Sequence, residues 1–238
     1  MKSFRYQIDD EWLDVMVFLP ENILKVEKSN TPVIVHMGSG VGDYFHYYNG
    51  NKGREKYFTN EKLKWYNEHC IIISLDYYVP HDKNWKFYIN PNESLVKNVL
   101  DQISSRFTNK DLRFLSGHSR GAQSAFFAHV NNPDFTNRVY MTELTISDNP
   151  STRFDEKIAK YLMKYMPPGS SVIAVNGDKN YYRSENFEVF TAKHENFELK
   201  IVEGYGTTCH QQGILEIFKP EIEHALKQCT MMEKTQMQ

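Results

Sequence analysis

Three apolar runs of strand length limit what this chain can become. They are Pro32-Val33-Ile34-Val35-His36, Cys70-Ile71-Ile72-Ile73-Ser74-Leu75-Asp76, and Leu112 to Ser116. In the first two the β-branched residues follow one another instead of alternating with polar ones, and in the third Phe114 and Leu115 stand side by side. A strand written that way is buried on both faces, which is the condition of a mostly parallel sheet. Parallel neighbours need long crossovers, usually helices. Helical patterns do stand between the runs. Leu95, Val99, Ile103 and Phe107 recur along one side with Leu100, and Asn92 or Ser94 can cap that helix. Ala122 to Val130 reads as a second helix. Asp155 to Met166 reads as a third, stopped by Pro167-Pro168-Gly169, and Glu185 to His194 as a short fourth.

Further strands follow at Val139 to Ile146, Ser171 to Val175 and Phe197 to Val202. A leading antiparallel pair, Phe4 to Ile8 and Leu13 to Leu19, turns at Asp9-Asp10-Glu11. Ile214, Leu215, Phe218, Ile222 and Leu226 trace a closing amphipathic helix with Pro220 as an expected kink. The rhythm predicts a doubly wound α/β fold, a mostly parallel sheet sandwiched by helices, with ligand chemistry at the carboxyl ends of the strands. The 238 residues suit one such domain over 1–229, followed by a flexible polar tail over 230–238. No long helical insertion follows the Val139 strand, so a large lid domain is not expected.

Composition narrows the partners. A net charge of −2 without a basic stripe argues against nucleic acid. No stretch approaches the ~20 apolar residues of a membrane span. The three cysteines, Cys70, Cys209 and Cys229, form neither a zinc set nor a disulfide framework. The opening Met1-Lys2-Ser3-Phe4-Arg5-Tyr6 is too polar for a signal peptide, so a cytoplasmic protein is the default.

The chemistry concentrates at Gly117-His118-Ser119-Arg120-Gly121, which fits G-x-S-x-G between a strand and a helix. A sharp strand-to-helix turn lifts a serine hydroxyl to the sheet edge, and the glycines let the backbones pass closely. Ala122 and Ala125 keep the first helical turns slim. Serine is a poor nucleophile near neutral pH and needs a base, which in turn needs an orienting carboxylate. In this fold the acid and then the histidine follow the serine. His210 is the expected base. It ends the loop Glu203-Gly204-Tyr205-Gly206-Thr207-Thr208-Cys209, just before the closing helix. His194 and His224 fall on helices, and His118 lies inside the turn. Two carboxylates compete as the orienter. Asp178, after the Ser171–Val175 strand, is preferred over Asp148, which ends the preceding one. An oxyanion hole needs two backbone N–H groups. Arg120 supplies one, and Met37 or Gly38 the other, from the glycine-rich His36-Met37-Gly38-Ser39-Gly40; of these Gly38 is preferred.

Taken together these elements resemble the α/β-hydrolase superfamily. The likeness covers nearly the whole chain in order: the glycine-rich turn, the Gly117–Gly121 elbow, an acid after a later strand, and a histidine before the last helix. The resemblance implies hydrolysis of esters, thioesters or amides through an acyl-serine, with Ser119 as nucleophile and His210 as base. One position departs from the pattern. Many members carry the acid three residues after the glycine of the turn at Gly177, where this chain has Asn180.

Two aromatic clusters, Tyr44-Phe45-His46-Tyr47-Tyr48 and Tyr77 to Tyr88, follow strands whose ends face the expected site. They suit either a ring-bearing or apolar substrate group or the packing of their own loops. The expected activity is that of a serine hydrolase of the carboxylesterase type. It acts on a small-molecule ester or thioester and needs no metal or organic cofactor. The alternative is a catalytically weak or inactive binding protein on the same fold, which Asn180 keeps open.

Overall fold

The structure is a computed structural model that describes residues 2–8, 11–19, 30–37, 65–66, 68–78, 93–118, 120–142, 164–177, 195–202 and 211–236. Its strands are β1 (Lys2–Ile8), β2 (Glu11–Phe18), β3 (Val33–Met37), β4 (Ile71–Tyr78), β5 (Arg113–His118), β6 (Arg138–Thr142), β7 (Ser171–Gly177) and β8 (Phe197–Val202). They form one eight-stranded sheet in the order β1-β2-β4-β3-β5-β6-β7-β8. β1 and β2 pair antiparallel, closing from Ile8 to Glu11, and β2 pairs antiparallel with β4. From β4 through β8 every pairing is parallel.

The three apolar runs of the sequence become β4, β3 and β5, adjacent at the centre of the sheet. That position explains their composition, because both faces of a central strand are covered. Helices α1 (Glu93–Arg106) and α2 (Arg120–Asn131) cover one face, and α3 (Gln211–Gln236) the other. The strand residues then divide by parity, as a pleated strand requires. Val33, Val35, Ile73, Leu115, Val139 and Met141 pack with Leu95, Val99, Ile103, Ala122, Ala125 and Phe126. Ile34, Ile72, Phe114, Tyr140 and Ile173 pack with Phe218 and Ile222 of α3 and with Tyr66 and Cys70. Phe218 sits edge-on to Tyr140 and Phe114, with centroids 4.7 and 5.6 Å away. A fully buried aromatic of this kind contributes roughly 3 kcal/mol through its burial. Phe218→Ala would open a cavity where α3 meets the sheet.

Burial pushes the Cys70 thiol up to about 12, so it stays protonated and packs as a small apolar group. Cys70 and Cys229 are both free. Among the described residues no helix is long and apolar enough to cross a membrane.

Several boundaries differ from the sequence reading. β5 starts after a 3₁₀ turn at Lys110–Leu112 and runs on to His118, past the expected end at Ser116. β7 continues to Gly177. α3 carries Pro220 inside it and extends through Gln236, so residues expected in a polar tail continue the helix. Thr, Met, Glu, Lys and Gln there are compatible with helix, and most are good helix formers. Of the expected Asp155–Met166 helix only residues 164–165 are described as helical, and the expected Glu185–His194 helix lies outside the described residues.

Candidate active site

Parallel strands end at one edge. Here that edge is formed by Tyr78, Met37, His118, Thr142, Gly177 and Val202, the last residues of β4, β3, β5, β6, β7 and β8. The register sets their levels. Met37 pairs with Gly117, Gly117 with Met141, His118 with Thr142, and Thr142 with Val175. β7 lies two strands from β5, a separation of about 10 Å.

β5 ends at His118 and α2 begins at Arg120, which leaves a single residue between strand and helix. The closeness of that turn is measured at Gly117. A Cβ built there would lie 2.0 Å from the Gly121 carbonyl oxygen, 2.3 Å from its carbon and 2.7 Å from the Ala122 nitrogen. These are backbone atoms that cannot rotate away. Any side chain at 117 would therefore push the first turn of α2 off the strand, so the close approach explains why this position is glycine. Ala122 and Ala125 are fully buried below, where a larger residue would separate α2 from β3, β5 and β6. The first N–H groups of α2 have no partners inside the helix and carry the positive end of its dipole. Arg120 heads that helix.

α3 runs opposite to β5. Phe218 packs against Phe114 in mid-strand, and further along Asn109, before the strand begins, donates from Nδ2 to Cys229 Sγ at 3.0 Å. The first residue of α3, Gln211, therefore lies toward the carboxyl edge of the sheet. Glu221 anchors the helix midway. Its carboxylate accepts from Arg138 Nη1 at 2.7 Å and from Lys200 Nζ at 2.6 Å. Burial raises the Glu221 pKa, but the Lys200 hydrogen bond and the charges of Lys200 and Arg138 outweigh it, so the group is held below the ordinary carboxylate value. Burial, joined by the Glu221 carboxylate, raises the neighbouring Tyr140 phenol.

Of the sequence-predicted residues, Ser119, His210, Asp178, Asp148, Gly38 and Asn180 lie outside the described residues, as do both aromatic clusters except Tyr77 and Tyr78. Arg120 is described in its backbone. The described chain reaches the neighbour of each main candidate: Met37 before Gly38, His118 before Ser119, Gly177 before Asp178, and Gln211 after His210. All of these neighbours belong to the carboxyl edge. Sequence reasoning missed one feature there. Ser74, His36 and Ser116 form a buried polar row across β4, β3 and β5, just inside the edge. The available signal was a polar residue in each apolar run, His36 and Ser116 at the ends of theirs and Ser74 inside the Cys70–Asp76 run.

No protein-family model matches the chain, and no curated protein matches it. Solved structures do. Est1E from Butyrivibrio proteoclasticus superposes with a TM-score of 0.58 over 96% of this chain and 99% of that one, at 17% identity. The chain has the α/β-hydrolase fold. The enterobactin esterase FES from Shigella flexneri gives a TM-score of 0.60 at 11% identity, over 96% of this chain and 60% of that one. An α/β serine hydrolase homologue from Coxiella burnetii gives 0.56 at 17% identity, over 94% and 96%. Est1E is known with ferulic acid bound, and the Shigella flexneri enzyme in the presence of 2,3-dihydroxy-N-benzoyl-serine.

Proposed function

We propose that this chain is a serine hydrolase of the carboxylesterase type, acting on a small-molecule ester through an acyl-serine intermediate. The observation that carries the reading is the contact at Gly117. The strand and the helix approach so closely that only a glycine fits, and the one residue between them is Ser119. A turn of that tightness has a cost in backbone freedom, and its use is to hold one side chain at the sheet edge.

In this reading Ser119 Oγ attacks the ester carbonyl while His210 accepts its proton. Asp178 holds the imidazole and balances its charge. The N–H groups of Arg120 and Gly38 bind the oxyanion as the carbonyl becomes tetrahedral. His210 then returns the proton to the leaving alcohol, and water repeats the sequence on the acyl-serine. The end of β7 and the start of α3 lie toward the same carboxyl edge as the end of β5, which supports Asp178 and His210 in these roles. The aromatic clusters after β3 and β4, with the ring-bearing acids in the two esterase structures, favour esters of aromatic acids as substrates.

Fluorophosphonate labelling of the parent and of Ser119→Ala tests the reading. Labelling and ester turnover in the parent, and neither in a folded Ser119→Ala, is the expected result. A parent that neither labels nor turns over any aromatic or aliphatic ester would favour the alternative suggested by Asn180, a binding protein on this fold.

A further inference from the structure

His36 on β3 stands opposite Ser74 on β4 and Ser116 on β5 in the parallel register. His36 Nδ1 and Ser116 Oγ share a hydrogen bond of 2.9 Å. The Ser116 hydroxyl also lies 3.4 Å from the Val35 carbonyl oxygen, and Ser74 Oγ lies 3.5 Å from that of His36. Only the 2.9 Å contact has the length of a firm bond. One proton lies between Nδ1 and Oγ whichever imidazole tautomer is present. Ser116 is 0% exposed and Ser74 2%, and His36 is buried at 9%. The three side chains share the sheet face of Ile34, Ile72 and Phe114, on which α3 packs.

Burying such groups has a cost that an apolar trio of the same shape would avoid. What the polar pair adds is a second directional tie near the last described rungs of the backbone ladder, which itself fixes the register of β3 on β5 as far as Met37 and Gly117. The residues immediately above the pair are Met37 and Gly117, which face each other in the register. Beyond them β3 leads into Gly38, and β5 leads through His118 into Ser119.

We propose that His36 and Ser116 are positioning residues, whose hydrogen bond fixes the end of β3 against the end of β5 and so holds the oxyanion-binding backbone level with the nucleophile. The catalytic consequence rests on the serine-hydrolase reading above, and the mechanical consequence does not. Misplacement of an oxyanion donor by a fraction of an ångström weakens binding of the transition state more than that of the ground state. Loss of the bond therefore lowers kcat more than it raises KM.

The test uses the full chain with Ser116→Ala, His36→Leu, His36→Asn and the double variant His36→Leu with Ser116→Ala. Turnover of p-nitrophenyl esters, melting temperature and amide hydrogen exchange of peptides 33–40 and 113–121 are measured on each. The two bond-breaking single variants should lose about 10- to 100-fold in kcat, with KM within about twofold. Both peptides should exchange faster, while peptides from β7 and β8 are unchanged. His36→Asn places an amide near the position of Nδ1 and should recover most of kcat. The double variant should lose no more than the worse single one, because the partners act as a unit. An unchanged kcat in folded Ser116→Ala overturns the proposal, and so does an Asn variant no better than Leu. If the parent itself neither labels nor turns over esters, the serine reading falls. The exchange data then decide the mechanical claim alone, and unchanged exchange in Ser116→Ala overturns it.

Discussion

His129 sets a pH limit on this fold that can be worked out from its surroundings. It lies in the last turn of α2, is 0% exposed, and neither ring nitrogen has a hydrogen-bond partner among the described residues. Burial, with Lys110 adding to it, lowers its pKa from 6.5 to about 4. The end of a helix favours a cation by about 0.3–1 kcal/mol. Desolvation outweighs that here, so the ring is neutral in the folded protein. Because the folded pKa lies below the unfolded one, the unfolded chain takes up the proton first as pH falls. Stability is therefore intact near pH 7, begins to fall near pH 6.5, and has lost its full increment once pH passes below 4. The increment is about 3 kcal/mol, and at pH 5 about 2 kcal/mol of it is already gone. Set against a typical total of about 5–15 kcal/mol, that is a large share. Urea denaturation of the parent and of His129→Leu at pH 7 and pH 5 measures it. Leucine has similar volume, no proton to gain and no orphaned nitrogens. The parent should lose about 2 kcal/mol more than the variant between the two pH values, whatever the carboxylates contribute to both. Parallel losses in the two proteins would refute the reasoning, since they would mean that the buried ring is already solvated or paired.

Other perturbations probe the site and its supports. Ser119→Ala should abolish fluorophosphonate labelling and reduce ester turnover by about three or more orders of magnitude without unfolding, and His210→Ala should match it without adding to it in the double variant. Asp178→Asn should cut turnover by orders of magnitude and Asp148→Asn should be mild; the reverse ranking, read in the same steady-state assay, would move the acid to the end of the preceding strand. Gly117→Ala should destabilise by about 3 kcal/mol or more, because the new Cβ meets the Gly121 carbonyl, and a melt within about 2 °C of the parent would contradict the tight turn. Glu221→Gln should weaken folding by about 1 kcal/mol at low salt and less at high salt. The parent should lose that same contribution as pH falls through the carboxylate range, since the folded pKa is the lower one.

The central sheet was legible because burial on both faces writes itself into composition, and Ile71-Ile72-Ile73 can hardly be anything else. Strand ends were less so. Gly117 and His118 carry no apolar signal, yet the ladder continues through them because backbone hydrogen bonding does not depend on the side chain. The end of α3 escaped for the opposite reason: its residues are polar but helix-compatible, and polarity was read as a tail. At the candidate site, the tight strand-to-helix turn at Gly117 could be read because its requirement is local, a glycine where strand and helix backbones meet. The choice between Asp178 and Asp148 could not, because it depends on where a loop carries a carboxylate after its strand has ended. The His36–Ser116 pair joins residues far apart in sequence, and only the register brings them together.

The two helices that flank the candidate site divide its support between the faces of the sheet. α2 starts beside Ser119 and lies on the face of Leu115 and Val139, and its far end is closed by the buried His129. α3 starts beside His210 and lies on the face of Phe114 and Tyr140, and Glu221 ties it to β6 and β8 through Arg138 and Lys200. In the proposed reading each helix begins next to one reacting residue, and away from the carboxyl edge α2 buries His129 while α3 is tied by Glu221. A nucleophile and a base held from opposite faces keep their separation only while both helices stay seated on the same sheet. The seating of both helices therefore bears on the geometry of the proposed site. On this account, any opening of α2 that brings His129 into water lets the ring take up a proton, so such openings grow more frequent as pH falls from about 6.5 to 4, while neutralising Glu221 loosens α3. Both should lower turnover before the sheet itself gives way. The two effects should appear in different pH ranges, the first between about pH 6.5 and 4 and the second lower, through the carboxylate range.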